Sequence, residues 1–454
     1  MKIVIIGIGK VGLSLAQALA REGHDLTLID SKMGVLEPAE RQMDVLVYCG
    51  NGADLEMQKK AGVQSADLMI AVTSADELNL MCCMIAKKLG CRHTIARVRN
   101  PEYTKAYYFM RDELGLSMVV NPERSAAREI HGLLRLPSSL RRETFAKGRA
   151  EIVELPVREG EKLDGLKLVD LYAALKSRVL ICCVERGGEV YIPRGDFVLR
   201  GGDKIYATAQ SNHLMSFVRF AGLETSKIRS VMIIGGSKIA VYLAGMLSET
   251  GIQVKIIDID PARCELLSER LENATIIRGD GTSFDVLCEE GAEETDAIVS
   301  LMSIDEQNLV VSMFAKGIHV PKVIAKINRT EYSPILRSTD VDCVITPHSI
   351  AATQIVRYVR AMENGRDQGA ITLHRMVDDQ IEALEFSVTE STLCRDLPLK
   401  SMHLKKDLLV AIIHHGENVL IPGGNDCFTL GDSVVIVTKA DRNIDQLNDI
   451  FEAD

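Results

Sequence analysis

The chain has 454 residues, of which 46% are hydrophobic and 26% charged, with a formal net charge of −10. That length suits roughly two to four globular domains, and the acidic balance argues against a nucleic-acid partner bound through a basic face. No apolar run reaches the ~18 residues needed to cross a bilayer. Met1-Lys2 leads straight into a strand, so neither a signal peptide nor direct membrane insertion is expected, and the protein reads as cytoplasmic.

Ile3-Val4-Ile5-Ile6 is an apolar β-branched run that suits a strand buried on both faces. Gly7-Ile8-Gly9-Lys10-Val11-Gly12 follows, and then Leu13, Ala16, Leu19 and Ala20 recur at helical spacing up to Gly23. A second strand, Leu26 to Ile29, ends on Asp30. Strand, G-x-G-x-x-G, helix, strand and acid together form the dinucleotide-binding pattern. Gly7 permits the tight turn, Gly9 lets the backbone approach a pyrophosphate, and Gly12 lets the helix lie against the sheet. Residues Gly7 to Val11 are therefore expected at the pyrophosphate, where a helix N-terminus favours anions. Asp30 can accept both ribose hydroxyls and would repel a 2′-phosphate, which points to NAD(H) or an adenine nucleotide rather than NADP.

The βα alternation continues with strands at Val45–Tyr48, Leu68–Val72, Thr94–Val98 and Met118–Val120, and helices ending near Ala61, spanning Asp76 to Leu89, and running from Glu123 to Leu134. Five or six parallel strands make a complete doubly wound α/β unit. From about Ser139 to Gly222 the pattern changes to a small α+β module. Its strands are Glu151–Val157, Val179–Glu185, Val190–Ile192 and Lys204–Ala209, with a helix at Leu168–Leu175 and a hairpin turn at Gly187-Gly188. The eleven cysteines include no C-x-x-C; Cys82-Cys83 and Cys182-Cys183 read as small buried hydrophobes in a reducing compartment. No metal site is expected.

The whole pattern then repeats. Val231 to Ala240 restarts strand, turn and helix, and Asp258 stands 23 residues past Gly235, as Asp30 stands 23 past Gly7. Gly279-Asp280-Gly281 matches Gly50-Asn51-Gly52, and Asp305-Glu306-Gln307-Asn308 matches Asp76-Glu77-Leu78-Asn79. Tyr332 matches Tyr103, Pro347 matches Pro122, Ile421-Pro422 echoes Ile192-Pro193, and Gly431-Asp432 echoes Gly202-Asp203. A tandem duplication is expected, with doubly wound domains at 1–137 and 225–362 and small α+β domains at 138–224 and 363–454.

The duplication, the small module after each doubly wound unit, and the T-S-x-D-E-x-N segment at Thr73-Ser74-Asp76-Glu77-Asn79 together resemble the RCK (regulator of potassium conductance, or KTN) family, and the tandem arrangement is similar to that of Trk-system regulators. The resemblance spans essentially the whole chain. It implies a regulatory subunit that binds NAD(H), or ATP/ADP, on the cytoplasmic face of the cell membrane. It also implies a homo-oligomer, a dimer or a tetrameric ring, beneath a Trk-type integral membrane potassium channel or transporter subunit. By the same resemblance Asn51 is expected near the adenine.

Thr73 and Ser74 are expected at the far end of the nucleotide. Strand alternation puts Arg97 and Arg99 on one face near the crevice. Two guanidiniums there suit terminal phosphates, or alternatively carboxylates at a domain contact. Asp76 and Glu77 read as the first turn of a helix rather than a catalytic pair.

The second half offers Gly235, Gly236, Ser237, Lys238, Ile239, Asp258, Asp280 and Lys326 in the corresponding positions, with two departures. Ser237 replaces the glycine of the pyrophosphate approach and Ala240 replaces the third glycine; Gly236 is expected to return some freedom to the turn. Lys326 and Asn328 stand where the first half has its arginines. The first half is thus the better expected site. No nucleophile or acid–base constellation repeats across the halves, which favours a regulator over an NAD-dependent oxidoreductase or a plain scaffold.

Overall fold

The computed structural model describes residues 1–100, 103, 113–134, 142–145, 150–175, 178–222, 228–329, 332, 339, 341–364, 372–377, 380–416, 418–442, 444 and 446–452. The expected boundaries at 137/138 and 224/225 lie outside them. The chain condenses into two compact units: residues 1–138 with 227–356, and 139–226 with 357–454.

In the first unit, the opening repeat runs β1 (Lys2–Ile6), α1 (Lys10–Arg21), β2 (Asp25–Asp30), α2 (Met33–Gln42), β3 (Leu46–Cys49), α3 (Leu55–Lys60), β4 (Leu68–Ala71), α4 (Asp76–Leu89), β5 (His93–Arg97), β6 (Met118–Val120) and α5 (Pro122–Leu134). The six strands form one sheet in the order β3-β2-β1-β4-β5-β6, all in parallel pairs. This order reverses beside β1, so the loops after β1 and β4 flank a crevice at the strands' carboxyl ends. The central strand is apolar because both faces are covered; Ile3, Val4, Ile5 and Ile6 are all buried. Each such side chain contributes about 1.5–3 kcal/mol by leaving water.

The second repeat reproduces this sheet. In chain order come β12 (Ser230–Ile234), α8 (Lys238–Glu249), β13 (Gln253–Asp258), α9 (Pro261–Arg270), β14 (Ala274–Arg278), α10 (Phe284–Glu289), β15 (Ala297–Ser300), α11 (Asp305–Gly317), β16 (Lys322–Lys326), β17 (Cys343–Ile345) and α12 (Pro347–Asn364), in the strand order β14-β13-β12-β15-β16-β17. The two repeats share a core. Ala126, Ala127, Ile130, Leu133 and Leu134 of α5 pack with Ile239, Leu243, Ala244 and Leu247 of α8 and with the second sheet. Asn121 Nδ2 donates to the Tyr242 hydroxyl at 2.9 Å, and that hydroxyl donates to the Arg99 carbonyl at 3.2 Å.

The second unit holds two antiparallel sheets. One is built from β7 (Arg142–Phe145), β8 (Ala150–Pro156), β9 (Val179–Arg186), β10 (Glu189–Tyr191) and β11 (Lys204–Ala209), with α6 (Leu168–Leu175) and α7 (Ser211–Phe220). The other is built from β18 (Thr372–Met376), β19 (Ile381–Ser387), β20 (Leu408–His415), β21 (Asn418–Leu420) and β22 (Ser433–Lys439). Gly187 and Gly188, at φ +60° and +86°, make the two-residue turn between β9 and β10. Cys182, Cys183 and Tyr206 of the first sheet pack with Ile381, Ala411 and Val435 of the second.

The paired cysteines are core residues. Burial pushes the Cys82 thiol up to about 12 and Cys91 to about 11, whereas Cys49 and Cys288 are exposed. Iodoacetamide at neutral pH should therefore label Cys49 and Cys288 within minutes and spare Cys82, Cys83, Cys182 and Cys183 until the chain unfolds. Peptide mass mapping checks this, and early loss of Cys82 or Cys83 would contradict it.

Candidate functional site

Gly7 leaves β1 at φ +94°, and a Cβ there would lie 2.7 Å from the Thr73 amide nitrogen. A Cβ on Gly12 would lie 2.0 Å from the Gly7 carbonyl oxygen. Both glycines are therefore required by the fold itself. Gly9 is different: nothing stands within 4 Å of a Cβ built on it. Protein packing does not explain that glycine, and the space over it is open. Gly9 is the N-cap of α1 and no side chain caps the helix. Ile8 and Val11 are buried, so they offer the crevice only their backbone.

Asp30, at the tip of β2, is tied to this loop. Its Oδ2 accepts from Ile8 N at 2.7 Å and its Oδ1 from Lys32 N at 2.9 Å. The second repeat has the same arrangement. Gly235 sits at φ +100°, and Asp258 Oδ2 accepts from Gly236 N at 2.6 Å while Oδ1 accepts from Asp260 N at 2.9 Å.

One feature of the second loop differs from expectation. Gly236 does not lie in the left-handed region. Instead it makes room for a neighbour, because a Cβ there would fall 2.5 Å from Leu267 Cδ1. Ile8 and Ala39 in the first repeat thus trade bulk with Gly236 and Leu267 in the second. Ser237 caps α8 at φ −72°, ψ 170°, extended backbone that any residue adopts, so serine brings no backbone strain. Its hydroxyl makes no capping bond.

The T-S-x-D-E-x-N segment is a structural clamp. Asn79 is fully buried; its Oδ1 accepts from Thr73 N at 2.8 Å and Thr73 Oγ1 at 2.7 Å, and its Nδ2 donates to the Arg97 carbonyl at 2.9 Å. Asp76 Oδ2 accepts from the N–H groups of Arg99 and Asn100, both at 2.8 Å. Glu77 accepts from the Tyr103 hydroxyl at 2.7 Å. The second repeat copies these bonds except the one from the Thr73 hydroxyl, which Met302 cannot make: Asn308 to Met302 N and the Lys326 carbonyl at 2.9 Å, Asp305 to Asn328 N and Arg329 N, and Glu306 to Tyr332. Asp76 opens α4, so the helix-first-turn reading is the one its contacts support.

Arg97 and Arg99 do lie together beside the Thr73-Ser74 turn. The Arg97 guanidinium donates to the Thr73 carbonyl and that of Arg99 to the Ser74 carbonyl. Arg99 also faces two carboxylates, Asp76 at 3.5 Å and Glu123 at 3.9 Å. Burial, and then the neighbouring Arg99, hold the Arg97 guanidinium below its ordinary pKa. Burial raises Glu123, against the pull of both arginines and of Lys238 from the second repeat. The traffic is reciprocal. Burial lowers His348, with Lys10 of the first repeat adding to it, and burial lowers Lys326, opposed by Asp305 and reinforced by Lys10.

A cleft of about 770 Å³ opens over the second loop. Gly235, Gly236, Ser237, Lys238, Asp258, Asp280 and Lys326 all line it, and Ile239 does not. Asn51 and Asp280 shape their own turns, Asn51 Oδ1 accepting from Ala53 N at 3.0 Å and Asp280 Oδ1 from Thr282 N at 2.9 Å. Asn100 and Arg263 are among the lining residues that the sequence does not single out. Asn100 reaches the cleft from the first repeat, and Arg263 stands beside Asp258, its Nη1 3.2 Å from Oδ2. The D-x-D-x-x-R run from Asp258 to Arg263 was the available signal for the latter.

This geometry has known counterparts. Residues 3–122 and 231–347 each match the TrkA-N domain, and residues 152–222 match the TrkA-C domain. A Trk system potassium uptake protein TrkA homolog from Archaeoglobus fulgidus is 33% identical over 99% of this chain and 100% of its own length. The chain belongs to the TrkA family. A second relative, the Trk system potassium uptake protein TrkA of Halomonas elongata, is 30% identical over 100% of this chain and 99% of its own. Among solved structures, the GsuK RCK domain covers 97% of this chain and 92% of that one, with a TM-score of 0.62 at 18% identity. The likeness shows that this chain and that domain share a fold.

Proposed function

We propose that this TrkA-family chain is a nucleotide-binding regulatory subunit that gates a Trk-type potassium channel or transporter in response to NAD(H) or ATP/ADP. It works on the cytoplasmic face of the membrane as a homo-oligomer, a dimer or tetrameric ring. The observation that carries the reading is the repeated pairing of an uncapped helix N-terminus with an acid that organises the loop before it, Asp30 in one repeat and Asp258 in the other. Open space over Gly9 and the cleft over Ser237 and Lys238 supply room for the pyrophosphate. Family membership supports the potassium role, and the GsuK channel, of the same fold, has been solved bound to NAD. Asp76 and Asp305 hold backbone N–H groups, which supports binding without turnover. No helix among the described residues is long and apolar enough to cross a membrane, so conduction is assigned to the partner.

Asp30 has one oxygen lone pair left on each side of its loop bonds for the ribose, whereas Asp258 also faces Arg263. The first site should therefore hold an unmodified ribose more tightly. Asp30→Ala should weaken NADH binding at that site by roughly 1–3 kcal/mol, the cost of stranding polar partners. Calorimetry on both single mutants checks this; unchanged affinity in Asp30→Ala with the loss appearing in Asp258→Ala would reverse the assignment.

A further inference from the structure

The wall of the second cleft beyond Asp258 has a composition that the first repeat lacks. Ile259 and Leu266 are 66% and 42% exposed there, high values for large aliphatic side chains, and both line the cleft. Between them in sequence, Arg263 lines the same wall. Its Nη1 lies 3.2 Å from Asp258 Oδ2 and its Nη2 3.6 Å from Asp260 Oδ2. Asp260 is itself fixed as the cap of α9, accepting from Ala262 N at 3.0 Å. Counted from the matching acid, the corresponding first-repeat residues are Ser31, Val35 and Pro38.

We infer that Arg263, flanked by Ile259 and Leu266, is the platform on which the second cleft takes the purine ring of its nucleotide, and that this wall determines base specificity there. The inference rests on the nucleotide-binding reading and deepens it. In a doubly wound domain the acid at the end of the second strand marks the ribose, so the base lies beyond it. A guanidinium whose edge is tied to two carboxylates offers a ligand its face, and a planar cation stacks on aromatic rings. Two exposed aliphatic side chains beside it supply the apolar surface that a flat base would cover. The arrangement also offsets the poorer phosphate end, where Ser237 adds a side chain over the loop that Gly9 leaves bare.

The test uses the full chain carrying Gly9→Glu, which fills the first site; a Cβ at Gly9 meets nothing within 4 Å, so the side chain is accommodated. Calorimetry with ADP and UDP then reads the second cleft. ADP should bind up to about tenfold more tightly than UDP, because the two-ring purine covers more of the guanidinium face and of the aliphatic wall than the single uracil ring does. Arg263→Ala should bring the two within about twofold, and Arg263→Lys, which keeps the charge and loses the plane, should erase most of the preference as well. If Arg263 only neutralised Asp258, both ligands would weaken together and the ratio would survive; that result overturns the inference and leaves nucleotide binding standing. Binding of neither ligand in the Gly9→Glu chain, with an unchanged melting profile, overturns the nucleotide reading of the second cleft and this inference with it. Should Gly9→Glu not fold, a two-site fit of the same ligands to chains altered only at Arg263 gives the same ratio.

Discussion

Asn79→Leu should cost the first unit about 2–6 kcal/mol, because it strands two buried backbone groups at roughly 1–3 kcal/mol each. Leucine keeps the branched outline of the asparagine side chain but cannot accept from Thr73 N or donate to the Arg97 carbonyl, which now lie 2.8 and 2.9 Å from the amide. The carbonyl and the N–H would both stay in a fully buried pocket without partners. Asn79→Asp should be nearly as harmful, since a carboxylate turned toward the Thr73 and Arg97 carbonyls repels where the amide donated. Asn308→Leu should behave alike, given the matching bonds to Met302 and Lys326. Urea unfolding followed by intrinsic tyrosine fluorescence and far-UV dichroism gives the loss. A change below about 1 kcal/mol at either position would show that the clamp does not hold the turn.

That clamp illustrates what the sequence could and could not disclose. The repeat of D-E-x-N was plain, and so was its place at the head of a helix. Which backbone groups it holds depends on β5 lying beside β4, a long-range fact. The doubly wound architecture was likewise legible from the glycine loop, its acid and the apolar strands, because turn chemistry and buried apolar strands are local signals. The helix at Met33–Gln42 was not expected: Gly34 and Pro38 blur its pattern. The strands Arg142–Phe145 and Thr372–Met376 escaped too, since each ends its sheet and short polar edge strands carry little alternation.

The exchange of α5 onto the second repeat was invisible for a different reason. An apolar helix face reads the same whichever sheet it covers, so Ala126, Ile130 and Leu133 could not say that their partners are Ile239 and Leu243. The arginines show the same limit. Alternation put Arg97 and Arg99 on one face, but only the fold shows their guanidiniums already engaged by the Thr73 and Ser74 carbonyls and by Asp76 and Glu123. Arg263 sits five residues past Asp258, a spacing that helical or strand periodicity does not mark.

Potassium flux through the partner should change about 5- to 150-fold between nucleotides, the range that a coupling of ~1–3 kcal/mol produces. A ligand can shift a two-state assembly only by binding its shapes unequally, and the Arg99 contacts supply a source of inequality. A terminal phosphate near Arg97 and Arg99 would compete with the Thr73 and Ser74 carbonyls and with Glu123 for the same guanidinium N–H groups. Glu123 stands in the first turn of α5, and α5 is the helix that packs on α8 of the second repeat. Releasing Glu123 from Arg99 therefore acts on the seam between the repeats, while a ligand that stops short of the arginines leaves it in place. Burial already raises the Glu123 carboxyl, so removing its cationic neighbours should favour its neutral form and loosen the seam further. Reconstituted vesicles containing the chain and a Trk-type membrane partner measure the effect, comparing ATP, ADP and NADH in wild type and in Arg97→Ala/Arg99→Ala. The double mutant should flatten the difference between ATP and ADP while both still bind. Flux that ignores every nucleotide in wild type, with binding intact, would leave the chain as an assembly scaffold that carries nucleotide without transmitting it.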